Sequence, residues 1–579
     1  MILQALYEYY QRDKNSVPLG WMRANLSFII VIDGEGHYLR IEDCRNEKGK
    51  GQPYLLPKGE HNNSETPLLY WDNLMYALDY SDKPSKTTHN KHLSFVKRCK
   101  DVASKYNFES LQSVVLFYKH NELLKVYQDP LWETMIKNPN NNVSFKIQGS
   151  MRIVPCEGTF YEIVQSECVG NEKDDKKGIC LVTGDYSTLV KTGTKTPIRG
   201  CKSSAKLVSF QVSSGYDSYG KEQGYNAPIS VEADFAFSSA IKKMLDENSR
   251  NKYIIGNRTF LFWASKNDEV GQQAEESIIS LFGFNNHKDD PDRNIEQVRK
   301  VFEAIYRGEL KTTSEDRFYI LGLAPNSARI AVTYWSELPI REFAGTICKH
   351  FEDMKICNYC NNNSVAIGLM LEAVTLKGVI KGNDSKLSPN LPDSIVKSIF
   401  QGLPYPQTLY ASCIRRIRAE TEKSKWDEAY RKGWIYIRAA IIKAYLNRLN
   451  NNEQKINVML DKDNTNQGYL CGRLFAVLDK IQEEANNQHS IRERYMNSAS
   501  STPAAVFSTI LNLSNHHFDN LKNEGRKIYF EKLKQEIISK IDAEGFKPQL
   551  DLQDQGRFFI GYYHQRQDFF TKNEENNNE

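Results

Sequence analysis

Apolar residues recur at helical spacing along the last third of the chain, from about residue 391 onward. In the stretch GYLCGRLFAVLDKIQEE, five apolar residues fall on one face of a helix. These residues are Leu470, Leu474, Val477, Leu478 and Ile481. Successive amphipathic helices can bury their apolar faces by packing against one another, so residues 391–579 are predicted to form a C-terminal helical bundle.

The preceding residues show a different pattern, in which short β-rich runs alternate with helical ones. The stretch SFIIVIDGEGHYLRIED predicts a strand, a glycine-containing turn and a second strand over residues 28–32 and 38–41. QSVVLFY and SARIAVTYW are further predicted strands, MILQALYEYY predicts a short amphipathic helix, and the polar residues 45–65 predict a loop. The predicted fold class is therefore α+β, with a mixed N-terminal α/β region over 1–390 followed by the helical bundle over 391–579.

Composition excludes some classes of protein. At 579 residues the chain is long enough for more than one core. Its net charge of +4 does not by itself indicate a nucleic-acid binder, so any basic surface must be local. No apolar run approaches the roughly 20 residues that span a bilayer, and the first residues lack the order of a signal peptide. We therefore expect no membrane partner, a cytoplasmic location and reduced cysteines.

Signature motifs of common enzymes are missing from the sequence. There is no G-x-x-x-x-G-K-[ST] loop, G-x-S-x-G elbow, H-E-x-x-H pair or EF-hand loop, so we expect neither catalysis nor a cofactor. The alternative is a metal-dependent nuclease, because His516, His517 and Asp519 lie together in NHHFDN. Adjacent residues on a helix point in different directions, however, so a solvated helix end is the preferred interpretation.

The stretch CKHFEDMKICNYC contains four residues of zinc-ligand type, Cys348, His350, Cys357 and Cys360. Cys357 and Cys360 have C-x-x-C spacing, but a structural zinc site usually adds a second well-spaced pair. Cys348 and His350 instead lie close together on a helical run. Ordinary thiols are therefore the preferred interpretation, and no metal site is predicted.

Positive charge is concentrated between residues 173 and 223, where nine Lys and Arg stand against five Asp and Glu. Lys202 lies in this segment, and Lys221 lies among three glycines and several tyrosines in SSGYDSYGKEQGYNAP. Basic side chains with glycines suit a phosphate backbone, whose recognition needs donors and close approach rather than a fixed pocket. A solvated loop is the alternative interpretation.

A second basic cluster lies in the predicted helix CIRRIRAE. Arg415 and Arg418 share one helical face, and the guanidinium fork suits a phosphate group. Pairing with carboxylates such as Glu420 or Glu422 is the alternative interpretation of this cluster.

The stretch LLYWDNLMYAL is a third candidate for nucleic-acid contact. Asn73 offers a donor and an acceptor that can read a base edge, and Trp71 or Tyr70 could stack on a base or wedge between bases. The preferred alternative is a helix start that is capped by Asp72 or Asn73.

Several motifs occur in an order that resembles a known family. They are MILQALYEYY, YWDNLMYAL, CLVTGDYSTL, LVSFQVSSGYDSYGKEQGYNAPIS, LGLAPNSARIAVTYW, GYLCGRLFAVLDKIQ with SASSTPAAVF, and GYYHQRQ. Together they cover roughly residues 1–566 and resemble the large subunit of the subtype I-C CRISPR surveillance complex, Cascade. The chain departs from the family pattern at KTPIRGCKSS, where a histidine-containing element is expected, so the role of residues 191–203 stays open.

The resemblance implies a non-catalytic, RNA-guided role in which guide RNA pairs with one strand of double-stranded target DNA. The large subunit would recognise the protospacer-adjacent motif (PAM), promote duplex opening, stabilise the R-loop and recruit a helicase–nuclease. The other implied partners are the Cascade backbone and guide-end-binding subunits and a small subunit. In the most family-specific stretch, Lys221, Gln223 and Asn226 are the candidate contacts. A scaffold that binds only protein is a further alternative.

The resemblance also implies that residues 459–579 correspond to a small subunit that is made separately by internal translation. Met459 is the candidate start, because it precedes the helices of this segment. The alternative is a methionine that packs in the core between helices.

Overall fold

The computed structural model describes the chain except for residues 60–66, 84, 170–175, 212–214, 216–219, 283–290, 314, 359–365, 381–386, 450–454, 487 and 576–579. The described residues form a mixed α/β region and a large C-terminal helical region, which confirms the predicted α+β class. The chain divides into two compact units. The helical unit comprises Met1–Arg12, Lys195–Leu207 and Ile241–Glu579, and the mixed unit comprises Asp13–Thr194 and Val208–Ala240.

The helices are numbered in chain order. They are α1 (Ile2–Arg12), α2 (Leu74–Ala77), α3 (Lys86–Tyr106), α4 (Glu109–Lys119), α5 (Leu123–Val126), α6 (Trp132–Met135), α7 (Phe160–Val169), α8 (Val231–Leu245), α9 (Glu269–Phe282), α10 (Pro291–Arg307), α11 (Ile340–Met354), α12 (Ile367–Val374), α13 (Leu391–Phe400), α14 (Gln407–Ala419), α15 (Lys423–Arg431), α16 (Trp434–Leu449), α17 (Gln467–Asn486), α18 (Ser490–Ala499), α19 (Pro503–Asp519), α20 (Glu524–Ile538) and α21 (Leu552–Glu575).

The strands form two four-stranded sheets and two two-stranded ladders within the described residues. They are β1 (Trp21–Leu26), β2 (Phe28–Ile32), β3 (Tyr38–Asp43), β4 (Gln52–Pro57), β5 (Trp71–Asn73), β6 (Asn142–Ile147), β7 (Lys177–Ile179), β8 (Tyr186–Thr188), β9 (Lys252–Ile255), β10 (Arg258–Ala264), β11 (Arg317–Asn326) and β12 (Arg329–Pro339).

The mixed unit is built on a sheet of order β3-β2-β6-β5, in which β2 and β6 are parallel and the other pairs are antiparallel. β2 is buried on both faces, which explains its unbroken apolar sequence. One face, including Phe28 and Ile30, packs with α3 and α4. The other face, including Ile29 and Val31, packs with residues of the β1–β4 ladder. The predicted strand–turn–strand at 28–41 is therefore confirmed.

Two predictions for this unit are wrong. QSVVLFY lies in α4 rather than in a strand, because Leu111, Val114 and Phe117 recur every three residues and bury one helical face. The loop predicted over 45–65 contains β4, whose six residues all pair with β1. The part of that loop at 60–66 lies outside the described residues.

The helical unit combines an antiparallel sheet of order β12-β11-β10-β9 with most of the helices. One continuous core runs from Tyr253 in β9 to Phe569 in α21. α17 is buried along most of its length, and its close crossing with α21 requires glycine, because a Cβ on Gly472 would clash with the Phe558 carbonyl oxygen. The predicted helix at the start of the chain and the strand in SARIAVTYW are confirmed as α1 and β12.

The predicted division at residue 390 falls inside the helical unit. Asp393 of α13 ties the first bundle helix to the sheet, because its carboxylate accepts from Arg258 Nε of β10 at 2.7 Å and from Thr333 Oγ1 of β12 at 3.0 Å. The sheet and the C-terminal helices therefore share one core, although the sequence pattern changes between them. Among the described helices, none combines the length and the apolar character needed to cross a membrane.

Candidate nucleic-acid interface

The glycine-rich stretch of the mixed unit ends in a short 3₁₀ turn at Gln223–Asn226. Gly224 N donates to the Lys191 carbonyl oxygen at 2.9 Å, and Thr192 Oγ1 donates to Gln223 Oε1 at 3.2 Å. A Cβ on residue 224 would lie 2.7 Å from the Lys191 carbonyl oxygen, so this close approach requires glycine. The turn is therefore fixed against the preceding segment of the same unit.

Lys221 comes just before this turn, and its side chain is exposed. No acidic side chain among the described residues pairs with it, whereas Lys191 pairs with Glu222 at 2.6 Å. Asn226 Nδ2 donates to the Gln223 carbonyl oxygen at 3.0 Å, so this amide holds the turn. Of the three candidate contacts in the stretch, Lys221 is the one that is presented to solvent.

Other lysines of the mixed unit lie beside the same turn. Lys176 Nζ is 5.0 Å from the centre of the Tyr225 ring, and both Lys176 and Lys191 are exposed. We call these three residues, Lys176, Lys191 and Lys221, the Lys221 surface. This surface brings together lysines that are separated in the sequence, which suits contact with a phosphate backbone.

Lys202 belongs to the helical unit, where its loop is attached to the β11–β12 hairpin. Lys202 N donates to the Ser327 carbonyl oxygen at 2.9 Å, and Lys206 forms an isolated bridge with Arg329. Lys202, Arg199 and Arg329 are exposed. The structure therefore divides the basic segment between the two units, and it adds Arg329, which sequence reasoning missed because only the fold brings the hairpin to this loop.

Asn73 ends β5 and caps α2, which confirms the cap that was predicted as the alternative role of this residue. Its Oδ1 accepts from Met75 N at 3.1 Å. Its Nδ2 makes no hydrogen bond within the described residues, and the side chain is half-buried. The buried Asp72 carboxylate fixes the same corner, because it accepts from Leu68 N at 2.8 Å and from Asn73 N at 2.7 Å.

Trp71 and Tyr70 are core residues. Trp71 is 3% exposed, and its Nε1 donates to the Pro57 carbonyl oxygen at 3.1 Å. Tyr70 is fully buried, and its hydroxyl donates to the Cys99 carbonyl oxygen at 2.8 Å. Neither ring face is therefore available in this structure for the predicted stacking or wedging. A surface aromatic and a core aromatic give the same local sequence pattern, so the sequence could not separate these roles.

Arg415 and Arg418 lie on α14 but differ in their surroundings. Arg415 is exposed, whereas Arg418 is half-buried, and its Nη2 donates to Ser500 Oγ at 3.1 Å. Burial lowers the pKa of Arg418. Glu420 pairs with Arg416 rather than with either candidate. Arg415 is therefore the member of this cluster that is accessible to a phosphate group.

The cysteine cluster does not form a metal site within the part of the chain that the structure describes. His350 is buried in α11, with Nδ1 2.7 Å from the Tyr405 hydroxyl. Burial raises the pKa of Cys348 to about 11 and that of Cys357 to about 12, which disfavours the thiolates that zinc requires. Cys360 lies outside the described residues.

The residues of the alternative nuclease site lie in the last turn of α19. His516 and Asp519 are exposed, whereas His517 Nε2 is 3.2 Å from Gln482 Nε2. Burial lowers the pKa of His517. These three residues form no candidate metal group among the described residues, and only His516 and Asp519 are exposed to solvent.

Comparison with known proteins adds one finding. A family model described as CRISPR-associated protein (Cas_Csd1) matches residues 6–570. No curated protein matches the chain. The matched range includes all the candidate contacts described above.

Proposed function

The chain belongs to the Cas_Csd1 family of CRISPR-associated proteins, and we propose that it is the non-catalytic large subunit of a type I-C Cascade. In this role it recognises the PAM of double-stranded DNA, promotes duplex opening, stabilises the R-loop and recruits the helicase–nuclease. Its partners are guide RNA, the Cascade backbone and guide-end-binding subunits, and a small subunit, and it acts in the cytoplasm.

The Lys221 surface is the observation that carries the DNA-binding part of this proposal. It presents exposed lysines beside a turn that is held by the Gly224 N and Gln223 side-chain hydrogen bonds, and Lys221 directly precedes that turn. A fixed turn loses little conformational entropy on binding, so the charged side chains next to it are preorganised for phosphate contact. Phosphate contacts position a protein on a duplex, and polar groups such as the Asn73 amide of the same unit then read base edges.

The test is DNA binding by the assembled complex, using targets that differ only in the PAM. We expect Lys221→Ala to weaken binding to all targets alike and to lower the salt-dependence slope by about one, because a phosphate contact carries no sequence information. The matched control is Lys119→Ala, which removes an exposed lysine of α4 in the same unit. It should assemble and bind as the wild type does.

Two results would count against the proposal. A Lys221→Ala complex that assembles and binds like the wild type at every salt concentration excludes Lys221 as a DNA contact. DNA cleavage by the purified chain that EDTA abolishes favours the nuclease alternative over a non-catalytic subunit.

We also propose that residues 459–579 are made separately as the small subunit, with internal translation starting at Met459. Met459 is 57% exposed and lies shortly before α17, so the alternative of a core methionine is wrong. The segment that follows contains the complete helices α17–α21.

A further inference from the structure

A basic loop of the helical unit, Lys195–Leu207, is held closed and is held against the tip of the β11–β12 hairpin. Thr196 N donates to the Ala205 carbonyl oxygen at 2.8 Å, which brings the two ends of the loop together. Lys202 N donates to the Ser327 carbonyl oxygen at 2.9 Å, which joins the middle of the loop to the hairpin. The loop is therefore a compact surface loop with a fixed backbone.

Three exposed basic side chains lie on this loop and hairpin, and we call Arg199, Lys202 and Arg329 the Lys202 surface. Two contacts bring Arg329 to the loop. Its carbonyl oxygen accepts from Cys201 Sγ at 3.3 Å, and its backbone forms a bridge with Lys206. The fold therefore collects cations that are far apart in the sequence on one part of the helical unit.

The segments that form the Lys202 surface contain no acidic residue. There is no Asp or Glu over residues 186–216 or over residues 317–336. No acidic side chain among the described residues pairs with Arg199 or with Lys202. The charges of these two side chains are therefore available to an anionic partner.

The other side chains of this surface suit a phosphodiester backbone better than a protein partner. A protein interface is centred on apolar and aromatic side chains, but the described residues 195–207 and 326–329 expose no large apolar side chain, and Ile198 is only 4% exposed. They instead expose four small polar side chains that can donate to phosphate oxygens, those of Ser203, Ser204, Asn326 and Ser327.

We infer that the Lys202 surface binds the phosphodiester backbone of a nucleic-acid strand. The Arg199 guanidinium and the Lys202 ammonium contact phosphate oxygens, and the fixed backbone beneath them limits the entropy lost on binding. This site lies in the helical unit, whereas the Lys221 surface lies in the mixed unit. The inference rests on the proposed function only in that the chain binds nucleic acid, and it does not depend on PAM recognition.

The test is equilibrium binding of the full-length chain to three mixed-sequence probes of equal length, a DNA duplex, a DNA strand and an RNA strand. Each phosphate contact contributes about 0.7–0.9 to the slope of log affinity against log salt concentration, so between about 50 and about 200 mM salt it accounts for a roughly threefold loss of affinity. Arg199→Ala and Lys202→Ala should each reduce the loss by about threefold, and the double variant by about tenfold. The probe with the largest change identifies the source of the backbone.

The substitutions leave the loop itself intact, because Lys202 contacts Ser327 through its backbone N. Lys202→Arg keeps the charge and should retain the salt dependence of the wild type. The matched control is Lys349→Ala, which removes an exposed lysine of α11 in the same unit. This control should bind every probe as the wild type does.

The outcomes separate this inference from the proposed function. A failure of the proposed function appears as absent PAM discrimination by the wild-type complex, which this assay does not measure. The inference is overturned if Arg199→Ala, Lys202→Ala and the double variant bind all three probes like the wild type at both salt concentrations. It is also overturned if a glutamate-rich peptide binds more tightly than every probe and loses that binding in Lys202→Ala, because the surface would then belong to a protein partner.

Discussion

Asn73 carries two roles on two different atoms, and a pair of substitutions measures each role separately. Oδ1 caps α2 by accepting from Met75 N at 3.1 Å, whereas Nδ2 makes no hydrogen bond within the described residues. Asn73→Ala removes both groups. Asn73→Ser keeps a cap oxygen and removes only the amide donor that would read a base edge.

The expected magnitudes follow from the geometry of this corner. α2 has only four residues, and the buried Asp72 carboxylate also fixes the corner through Leu68 N and Asn73 N. We therefore expect Asn73→Ala to lower the free energy of unfolding by about 0.5–1 kcal/mol, the lower half of the range for a lost cap. Asn73→Ser should stay within about 0.5 kcal/mol of the wild type. Both variants should weaken PAM-dependent binding by roughly 5- to 150-fold, because a base contact contributes about 1–3 kcal/mol.

Chemical denaturation of the purified chain measures how much the cap contributes to the free energy of unfolding. Binding of the assembled complex to targets that differ only in the PAM measures how much the Nδ2 donor contributes to affinity. The matched control is Asn523→Ser, because Asn523 Oδ1 caps α20 by accepting from Arg526 N at 3.1 Å. This control should leave stability and DNA binding unchanged. An Asn73→Ser complex that binds like the wild type would refute a reading role for Nδ2, and a marked loss of stability in Asn73→Ser would refute the reasoning about the cap.

Two further predictions concern the C-terminal helices. Burial lowers the pKa of His564 from 6.5 to about 3, and Nδ1 lies 2.9 Å from the Tyr469 hydroxyl. Because the unfolded state binds this proton more readily, stability should fall as the pH drops from about 6.5 towards 3, by up to about 1.4 kcal/mol per unit. His564→Gln should flatten this decline in denaturation curves between pH 6 and 4, and an unchanged slope would contradict the assignment. With a C-terminal tag, immunoblotting should reveal a band of about one-fifth of the 66.7 kDa chain, and Met459→Ala should remove it; no band, or one that survives, would exclude this start.

The sequence predicted those elements whose own apolar pattern is distinctive. α17 shows helical spacing, and β2, which is buried on both faces, shows an unbroken apolar run, so both are identified without knowledge of their partners. The pattern failed for QSVVLFY, since a short apolar run fits either a strand or a helix. The predicted resemblance to a CRISPR Cascade subunit is confirmed by the family match over 6–570.

Tertiary packing sets a second limit on what the sequence can predict about the candidate contacts. The sequence identified Lys221 as a candidate because charge and glycine content are local properties. It could not show that Trp71 is buried or that Arg329 lies on the hairpin beside the Lys202 loop. These facts depend on which distant segments meet, and a single sequence does not record them.

Helices α17–α21 pack against earlier parts of the full chain, and this packing has a consequence for the proposed separate segment. In the full chain they are joined to earlier segments, because the Tyr410 hydroxyl of α14 donates to the Leu552 carbonyl oxygen at 2.6 Å and the Tyr563 hydroxyl donates to the carbonyl oxygen of Cys357, which follows α11, at 2.7 Å. A separately made segment that starts at Met459 would lack these earlier helices and would expose the apolar face that they cover. Such a segment would need a partner surface to cover that face.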